Sequence, residues 1–110
     1  MNSQASFPHS IVYVSDEQRG CVLKFKSDGT FLAEWGSPGN GPGQFDKPRG
    51  LAVDDSGFVF VADSANRRVQ KLTADTQYVT KVDIPTPLGL ALDASGRVYV
   101  ASWGSNMICA

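Results

Sequence analysis

Short apolar runs alternate along the chain with clusters of glycine, aspartate, asparagine and serine, a pattern that predicts β-strands joined by tight turns. In the middle of the sequence the runs predict four strands, named a to d here, at 50–53, 58–62, 68–72 and 77–82. Strands a and b are almost wholly apolar, so we expect both of their faces to be covered. Strand d is more mixed, as is typical of a partly exposed edge. No window longer than one turn has a helical apolar period, and the predicted fold class is all-β.

The same pattern occurs more than once. Segment 50–63 recurs without a gap at 89–102, an offset of 39 residues, while 12–16 and 22–25 match 59–63 and 69–72 at an offset of 47. The two offsets differ by the length of the glycine-rich segment 36–43, which has no counterpart before the third repeat. Repetition at this period is the signature of a repeat architecture. Four-stranded meanders whose inner strands are covered on both sides are the blades of a β-propeller.

The repeats divide the chain into blades. We predict an incomplete blade with strands b to d at 9–36, a complete blade at 45–82, and an incomplete blade with strands a to c at 84–110. Residues 1–8 are expected to be disordered or frayed. About ten strands are too few for a closed ring of roughly four to eight blades. The favoured explanation is a fragment of a larger propeller, and the alternative is a protomer that closes a ring by self-association.

Composition narrows the classes of partner. The 110 residues can form one modest domain, and ten Lys+Arg against eleven Asp+Glu give a formal net charge of -1. This balance argues against non-specific nucleic-acid binding and against a polybasic membrane anchor. No apolar run approaches the ~18 residues of a membrane span, and residues 1–10 lack the features of a signal peptide. The compartment stays open, with the cytoplasm as the default.

The sequence offers few candidate residues for metal binding or catalysis. Cys21 and Cys109 are too few for a disulfide framework or a zinc site and are expected to be buried free thiols. The single histidine, His9, cannot form a multi-histidine metal site, and a Ser-His-Asp triad would have to use the same residue. We therefore predict no catalytic residue, no metal and no cofactor.

Two further motifs are interpreted as structural. Asp54, Asp55 and Asp93 could suggest calcium, but their setting beside Ser-Gly is more simply that of hairpin turns. Segment 36–43 is rich in glycine but lacks the Lys-Ser/Thr of a phosphate-binding loop. We expect a flexible loop between blades, followed by Phe45, whose ring fills the core.

Segment 45–72 resembles the NHL repeat. That family's pattern is met by Pro48, Gly50, Asp54, Gly57, Asp63, Asn66, Arg68, Val69 and Gln70. The resemblance implies a propeller, commonly of six blades. The flanking copies depart from the pattern, because Arg19 and Cys21 replace Asn66 and Arg68 in the first, and Ser102 and Met107 replace Asp63 and Arg68 in the third. Roles taken from the family are therefore carried over to the middle blade alone.

The loops of an up-and-down blade alternate between its two ends. The b–c and d–a loops form one end, named the basic end, which carries Lys47, Arg49, Asn66, Arg67 and Arg68. Asp16 and Glu17 fall beside Arg19 on this side and reduce its positive charge. The a–b and c–d loops form the other end, named the acidic end, which carries Asp28, Asp54, Asp55, Asp75 and Asp93. The sequence therefore predicts an electrically polarised molecule.

In ubiquitin ligases that join a tripartite motif to NHL repeats, a similar face recruits RNA or protein. The resemblance thus implies partner contact at Lys47, Arg49, Asn66, Arg67 and Arg68, and the loop residue Trp103 is a further candidate. A structural role is the favoured alternative for Asp63, Asn66 and Arg68, which can bond across the b–c turn. For Lys47, Arg49 and Arg67 the alternative is a solvated loop charge, and for Trp103 it is packing against the adjacent blade.

The function predicted is a non-catalytic NHL-repeat scaffold that binds a protein partner. RNA is less favoured because the net charge offers no general attraction to phosphate. One alternative is the recognition part of a RING/tripartite-motif-type ubiquitin ligase or the sensor part of a bacterial kinase. Another is the remnant of a lyase or hydrolase propeller whose catalytic loops lie on other blades.

Overall fold

The computed structural model describes residues 11–75 and 77–102. Within these ranges the chain forms antiparallel sheets of three, four and two strands. The strands are β1 (Ile11–Asp16), β2 (Cys21–Lys26), β3 (Phe31–Trp35), β4 (Pro48–Val53), β5 (Val59–Asp63), β6 (Arg68–Leu72), β7 (Tyr78–Asp83), β8 (Pro87–Leu92) and β9 (Val98–Ser102). Strands adjacent in sequence are adjacent in each sheet. This confirms the all-β fold, in which the described strands form antiparallel meanders.

The predicted strand bounds need small corrections. The middle sheet, β4 to β7, contains strands a to d: β6 has the predicted bounds, while β4 begins two residues earlier and β5 and β7 each lie one residue later. The reason at β4 and β5 is that Asp63 pairs with both Pro48 and Arg68, which extends the ladder past the apolar run. Strand c of the third blade, segment 1–8, His9, Cys109 and Trp103 lie outside the described residues.

Both faces of the middle sheet are covered. On one side Val59, Val61 and Leu72 form a buried cluster with Tyr13, Val22, Trp35 and Phe45. On the other side Val69 is buried with Ile84 and Val100, and Phe60, Leu90 and Val98 pack around them. Each large apolar side chain removed from water in this way contributes about 1.5–3 kcal/mol. The apolar inner strands that the sequence shows are thus explained by stacking of one sheet on the next.

The innermost strands of adjacent sheets approach very closely at Gly50. A Cβ atom at this position would lie 2.7 Å from the Leu88 carbonyl oxygen and 2.8 Å from the Gly89 Cα atom. Those atoms belong to the backbone of β8 and cannot turn aside, so only glycine fits here. The repeat-signature glycine is therefore required for packing between blades.

The structure also bears on the predictions for Cys21, for Phe45 and for membrane-spanning segments. Cys21 is a buried free cysteine, and burial raises the pKa of its thiol. Phe45 is fully buried, as expected. No helix in the described part of the chain is long and apolar enough to cross a membrane.

Candidate functional site

Three of the predicted partner-contact residues converge on one pocket. Three stretches at the basic end line an open pocket of about 550 Å³, named here the basic-end pocket: 47–49 at the start of β4, 64–67 in the turn between β5 and β6, and 86–88 at the start of β8. The lining residues are Lys47, Arg49, Ser64, Ala65, Arg67, Thr86 and Leu88. The volume is in the usual range for ligand pockets, and the wall combines cations with small and apolar side chains.

The backbone of this pocket has an unusual conformation. Lys47, Arg67 and Thr86 have φ angles of 54°, 57° and 39°, and within the described ranges they are the non-glycine residues with positive φ. All three line the basic-end pocket. This region of φ costs a residue with a side chain about 1–3 kcal/mol, and it is least suited to a β-branched residue such as Thr86.

Comparison between blades separates what the backbone requires from what the side chain adds. Arg67 corresponds to Gly20 of the first blade at the repeat offset of 47 residues, and Gly20 has nearly the same φ, 65°. Lys47 corresponds to Thr86 at the offset of 39, and each of them precedes a proline. The turn conformation is thus a property of the repeat. The cationic side chains are not, because glycine or threonine occupies the corresponding positions.

The three cations of the pocket differ in their partners. The Arg49 Nε atom lies 2.9 Å from the Glu17 carboxylate of the first blade, so this charge is already compensated. Within residues 11–75 and 77–102, Lys47 and Arg67 have no carboxylate at ion-pair distance. Both are exposed. The pocket therefore keeps two uncompensated positive charges.

Backbone hydrogen bonds hold the pocket loops together. The Ala65 amide donates to the Asp46 carbonyl at 3.0 Å, and the Ile84 amide donates to the Arg67 carbonyl at 3.0 Å. The Ser64 hydroxyl donates to the Pro87 carbonyl of the next blade. Each of these bonds joins two different loops, so the pocket walls are positioned before any ligand arrives.

A second group of basic-end residues is turned inward. Asp63 is fully buried and accepts hydrogen bonds from the Asp46 amide at 2.7 Å, Arg68 Nε at 2.8 Å, Asn66 Nδ2 at 3.0 Å and Gln70 Nε2 at 3.1 Å. The Arg68 guanidinium, 9% exposed, also donates to the carbonyls of Asn40, Gly41 and Gln44. Four of the five Arg68 N–H donors are therefore used within the chain. Asn66 is held by Asp63 and the Gly39 carbonyl. These hydrogen bonds are the ones that a structural role of Asn66 and Arg68 predicts.

The comparisons with known proteins concern this same segment. A family model described as the NHL repeat matches residues 45–72. The chain carries an NHL repeat. NHL repeat-containing protein 3 of Homo sapiens is 34% identical over 68 residues, which are 59% of this chain and 20% of that protein. Protein lin-41 of Caenorhabditis elegans is 38% identical over 50 residues, which are 46% of this chain and 4% of that protein.

Two solved structures similar to this one are those of lyases. "Streptogramin B lyase structure" matches with a TM-score of 0.66 at 20% identity, over 83% of this chain and 30% of that one. Catalytically inactive H270A virginiamycin B lyase from Staphylococcus aureus with quinupristin matches with a TM-score of 0.68 at 14% identity, over 89% and 32%. At these identities the likeness shows the fold, a β-propeller. The chain spans about a third or less of the length of the relatives and structures named here.

The structure explains why the NHL repeat has polar signature residues. Asn66, Arg68 and Gln70 bond to segment 36–44. Asp63 on β5 accepts hydrogen bonds from these three side chains and so holds them in place. The flexible loop predicted for 36–43 is wrong in this respect, because the segment is bonded along its length to the NHL repeat. Gln70 completes the attachment by accepting from the Gly43 amide at 2.9 Å.

The acidic end forms a separate pocket of about 650 Å³ lined by the turns after β4 and β8. Asp54 accepts from the Ser56 and Phe58 amides, both at 2.9 Å, as the hairpin interpretation expects. Asp93 accepts from the Ser95 hydroxyl and the Arg97 amide, and from Tyr99. These bonds lower the pKa of Asp93 from 3.8 to about 2. In the described part of the chain no cluster of His, Cys, Asp or Glu could hold a metal.

Sequence reasoning missed part of the pocket. Ser64, Ala65, Thr86 and Leu88 line it without having been predicted. Thr86 and Leu88 stand at the repeat positions of Lys47 and Arg49, so the alignment of repeats contained the signal that could have found them.

Proposed function

We propose that the chain is a non-catalytic NHL-repeat scaffold whose basic end binds a protein partner. The observation that supports this is the convergence of Lys47, Arg49 and Arg67 on one pocket, in two cases with a left-handed backbone. Residues held in costly conformations cluster at functional sites. A turn with a structural role alone accommodates glycine at the same position. Here Gly20 fills that position in the first blade.

A protein fits this surface better than RNA does. Single-stranded RNA is recognised by stacking bases on aromatic side chains beside a basic groove. Among the residues that the structure describes, 11–75 and 77–102, no aromatic residue lines the basic-end pocket. Within the described ranges the pocket has two uncompensated cations, and the whole chain has a net charge of -1.

The curated relatives are much longer than the matched segments, so we also propose that these blades serve as the recognition part of a larger propeller protein. A ubiquitin ligase of the RING/tripartite-motif type or a bacterial sensor kinase would supply its catalytic domain elsewhere. The likeness to two lyase structures favours no reaction for this chain, because sequence identities of 20% and 14% bear on the fold alone.

Site-specific photocrosslinking in cells tests the proposed function. A photoreactive residue replacing Ala65, which is exposed at the basic-end pocket, is expected to form an adduct with a discrete protein. The same residue at Ser95, which is exposed at the acidic end, is the matched control and should give no such adduct. Equal adducts at both positions would contradict binding through the basic end.

Charge reversal then tests the cations themselves. Lys47→Glu with Arg67→Glu is expected to reduce the Ala65 adduct at least about tenfold. Lys26→Glu with Arg97→Glu changes the net charge by the same amount at exposed positions of the acidic end and should leave the adduct unchanged.

A further inference from the structure

We propose that the basic-end pocket binds a carboxylate side chain from an acidic peptide segment of the partner, between Lys47 and Arg67. The inference rests on the proposed function and names the chemistry that the partner presents. Leu88 and Ala65 in the same lining offer apolar contact to the residue beside that carboxylate.

The chain already shows how this end accepts a carboxylate. Glu17 crosses from the β1–β2 loop to the next blade and lies 2.9 Å from Arg49 Nε. Both side chains stay about half exposed in this pair, with relative exposures of 46% for Arg49 and 47% for Glu17. A carboxylate at the pocket edge is therefore compatible with the local geometry. Glu17 already pairs with one of the three cations, Arg49.

The two remaining cations complement each other chemically. Arg67 presents a planar guanidinium, which can bind both oxygens of a carboxylate, whereas Lys47 presents a compact point charge. They stand on different loops, the β5–β6 turn and the segment before β4, on either side of the Asp46–Ala65 backbone hydrogen bond of 3.0 Å. A carboxylate bound by both side chains would join these two loops.

Both cations stand at backbone positions that are unfavourable for a residue with a side chain. Arg67 and Lys47 keep long cationic side chains at left-handed positions where glycine would relieve the strain. Like charges lining one pocket also repel each other, and within the described ranges no acidic side chain lies at ion-pair distance from either. An anionic ligand bound between Lys47 and Arg67 would offset that repulsion.

Peptide-display selection tests the class of ligand directly. A random peptide library is selected on the intact chain, and binders that also bind the Lys47→Glu/Arg67→Glu variant are removed. We expect enrichment of Asp or Glu at one position with an apolar residue next to it. Absence of acidic enrichment, or tighter binding of oligouridine RNA than of any selected peptide, would overturn the proposal.

A charge exchange tests the contact to Arg67. Arg67→Glu is expected to weaken a selected peptide about tenfold, and replacing the acidic residue of the peptide by lysine should recover most of that loss. A loss caused only by local unfolding would not be recovered. Failure of recovery in a variant with an unchanged unfolding midpoint would refute the contact.

A gain of affinity is expected from Glu17→Gln, which frees Arg49. Fluorescence anisotropy should show the selected peptide binding about two- to fivefold more tightly, and the effect should diminish with added salt. Glu34→Gln, which removes the exposed carboxylate paired with Arg19, is the matched control and should change the affinity little. Equal effects of the two substitutions would contradict the role of Arg49.

The two proposals fail in distinguishable ways. If the Ala65 adduct depends on Lys47 and Arg67 while no acidic peptide is selected, the protein-binding function stands and the carboxylate inference is wrong. If an acidic peptide is selected and the cellular adduct is absent, the pocket chemistry stands and the proposed function is wrong.

Discussion

Two adjacent arginines of the NHL repeat have opposite surroundings. Arg68 is 9% exposed and donates to Asp63 and to three carbonyls of segment 36–44. Arg67 is exposed, with a φ of 57°. The difference arises because Arg67 ends the turn and Arg68 begins strand β6, where its side chain points into the blade. A change at Arg67 therefore tests binding, and a change at Arg68 tests stability.

Replacing Arg67 should separate the cost of its backbone from the use of its side chain. Arg67→Gly is expected to be about 1 kcal/mol more stable than Arg67→Ala, because only glycine relieves the left-handed conformation. Both variants should lose the Ala65 adduct. Urea unfolding measures the difference in stability, and an alanine variant as stable as the glycine variant would show that the position is not strained.

Removing the charge of Asp63 should be severely destabilising. Asp63→Asn leaves the buried Arg68 guanidinium without its counter-ion, which we expect to cost about 3–5 kcal/mol. Glu34→Gln breaks the Arg19–Glu34 pair, whose side chains are 59% and 38% exposed, and should cost less than about 1 kcal/mol. Chemical denaturation compares the two. Equal losses would mean that the Asp63 network does not stabilise the fold.

At the level of elements, the turn between β8 and β9 is held by one carboxylate. Asp93 accepts from the Ser95 hydroxyl at 2.7 Å, the Arg97 amide at 3.0 Å and the Tyr99 hydroxyl at 2.9 Å. Each donor favours the ionised form, which is why the pKa of Asp93 falls to about 2. The turn is thus joined to its own strand through a charge that persists in mild acid.

The stability of this hairpin should depend on pH in a defined window. Because the pKa of Asp93 is lowered from 3.8 to about 2 in the folded chain, its contribution is complete above about pH 4 and is lost as pH falls toward 2. Ser95→Ala should raise the pKa of Asp93 by removing the strongest donor, and Ser95→Thr, which keeps a hydroxyl, should not. Carboxyl chemical shifts in an NMR titration measure this, and an unchanged pKa in the alanine variant would contradict the assignment.

On the scale of the whole molecule, one face of the first sheet is open in the part of the chain that the structure describes. Tyr13 of β1 packs into the core beside the middle sheet, so its neighbour Val14, 42% exposed, points to the other face. Within the described ranges nothing covers that face. The corresponding residue of the middle sheet, Val61, is fully buried by the preceding blade.

The open face should drive association of the isolated chain. Val14→Lys is expected to reduce association measured by size-exclusion chromatography with light scattering, because a charge on this face prevents stacking. Val79→Lys, at a site 44% exposed on the edge strand β7, is the matched control and should have little effect. A discrete dimer would support ring closure by two copies, and open-ended species would support the need for further blades. A monodisperse wild-type monomer would contradict both.

The blades could be predicted because strand patterning is local. Alternating apolar runs, turn residues and the repeat offset of 39 residues are all properties of neighbouring positions, and the observed strands lie within two residues of the expected bounds. The ordered course of segment 36–44 could not be predicted. Its attachment depends on Arg68 and Gln70, which are more than twenty residues away.

The sequence by itself determined the repeat, the all-β fold and the assignment of basic and acidic loops to opposite ends, because these follow from the order of strands and turns. Only the tertiary structure decided which charges are available. Segment 36–44 covers Arg68 beside Asp63, and Glu17 of the first blade pairs with Arg49. Among the described residues no carboxylate compensates Lys47 and Arg67, which line one pocket. The contacts of segment 36–44 with Arg68 and of Glu17 with Arg49 join residues that are more than twenty positions apart, and such distances in space cannot be read from the order of residues along the chain.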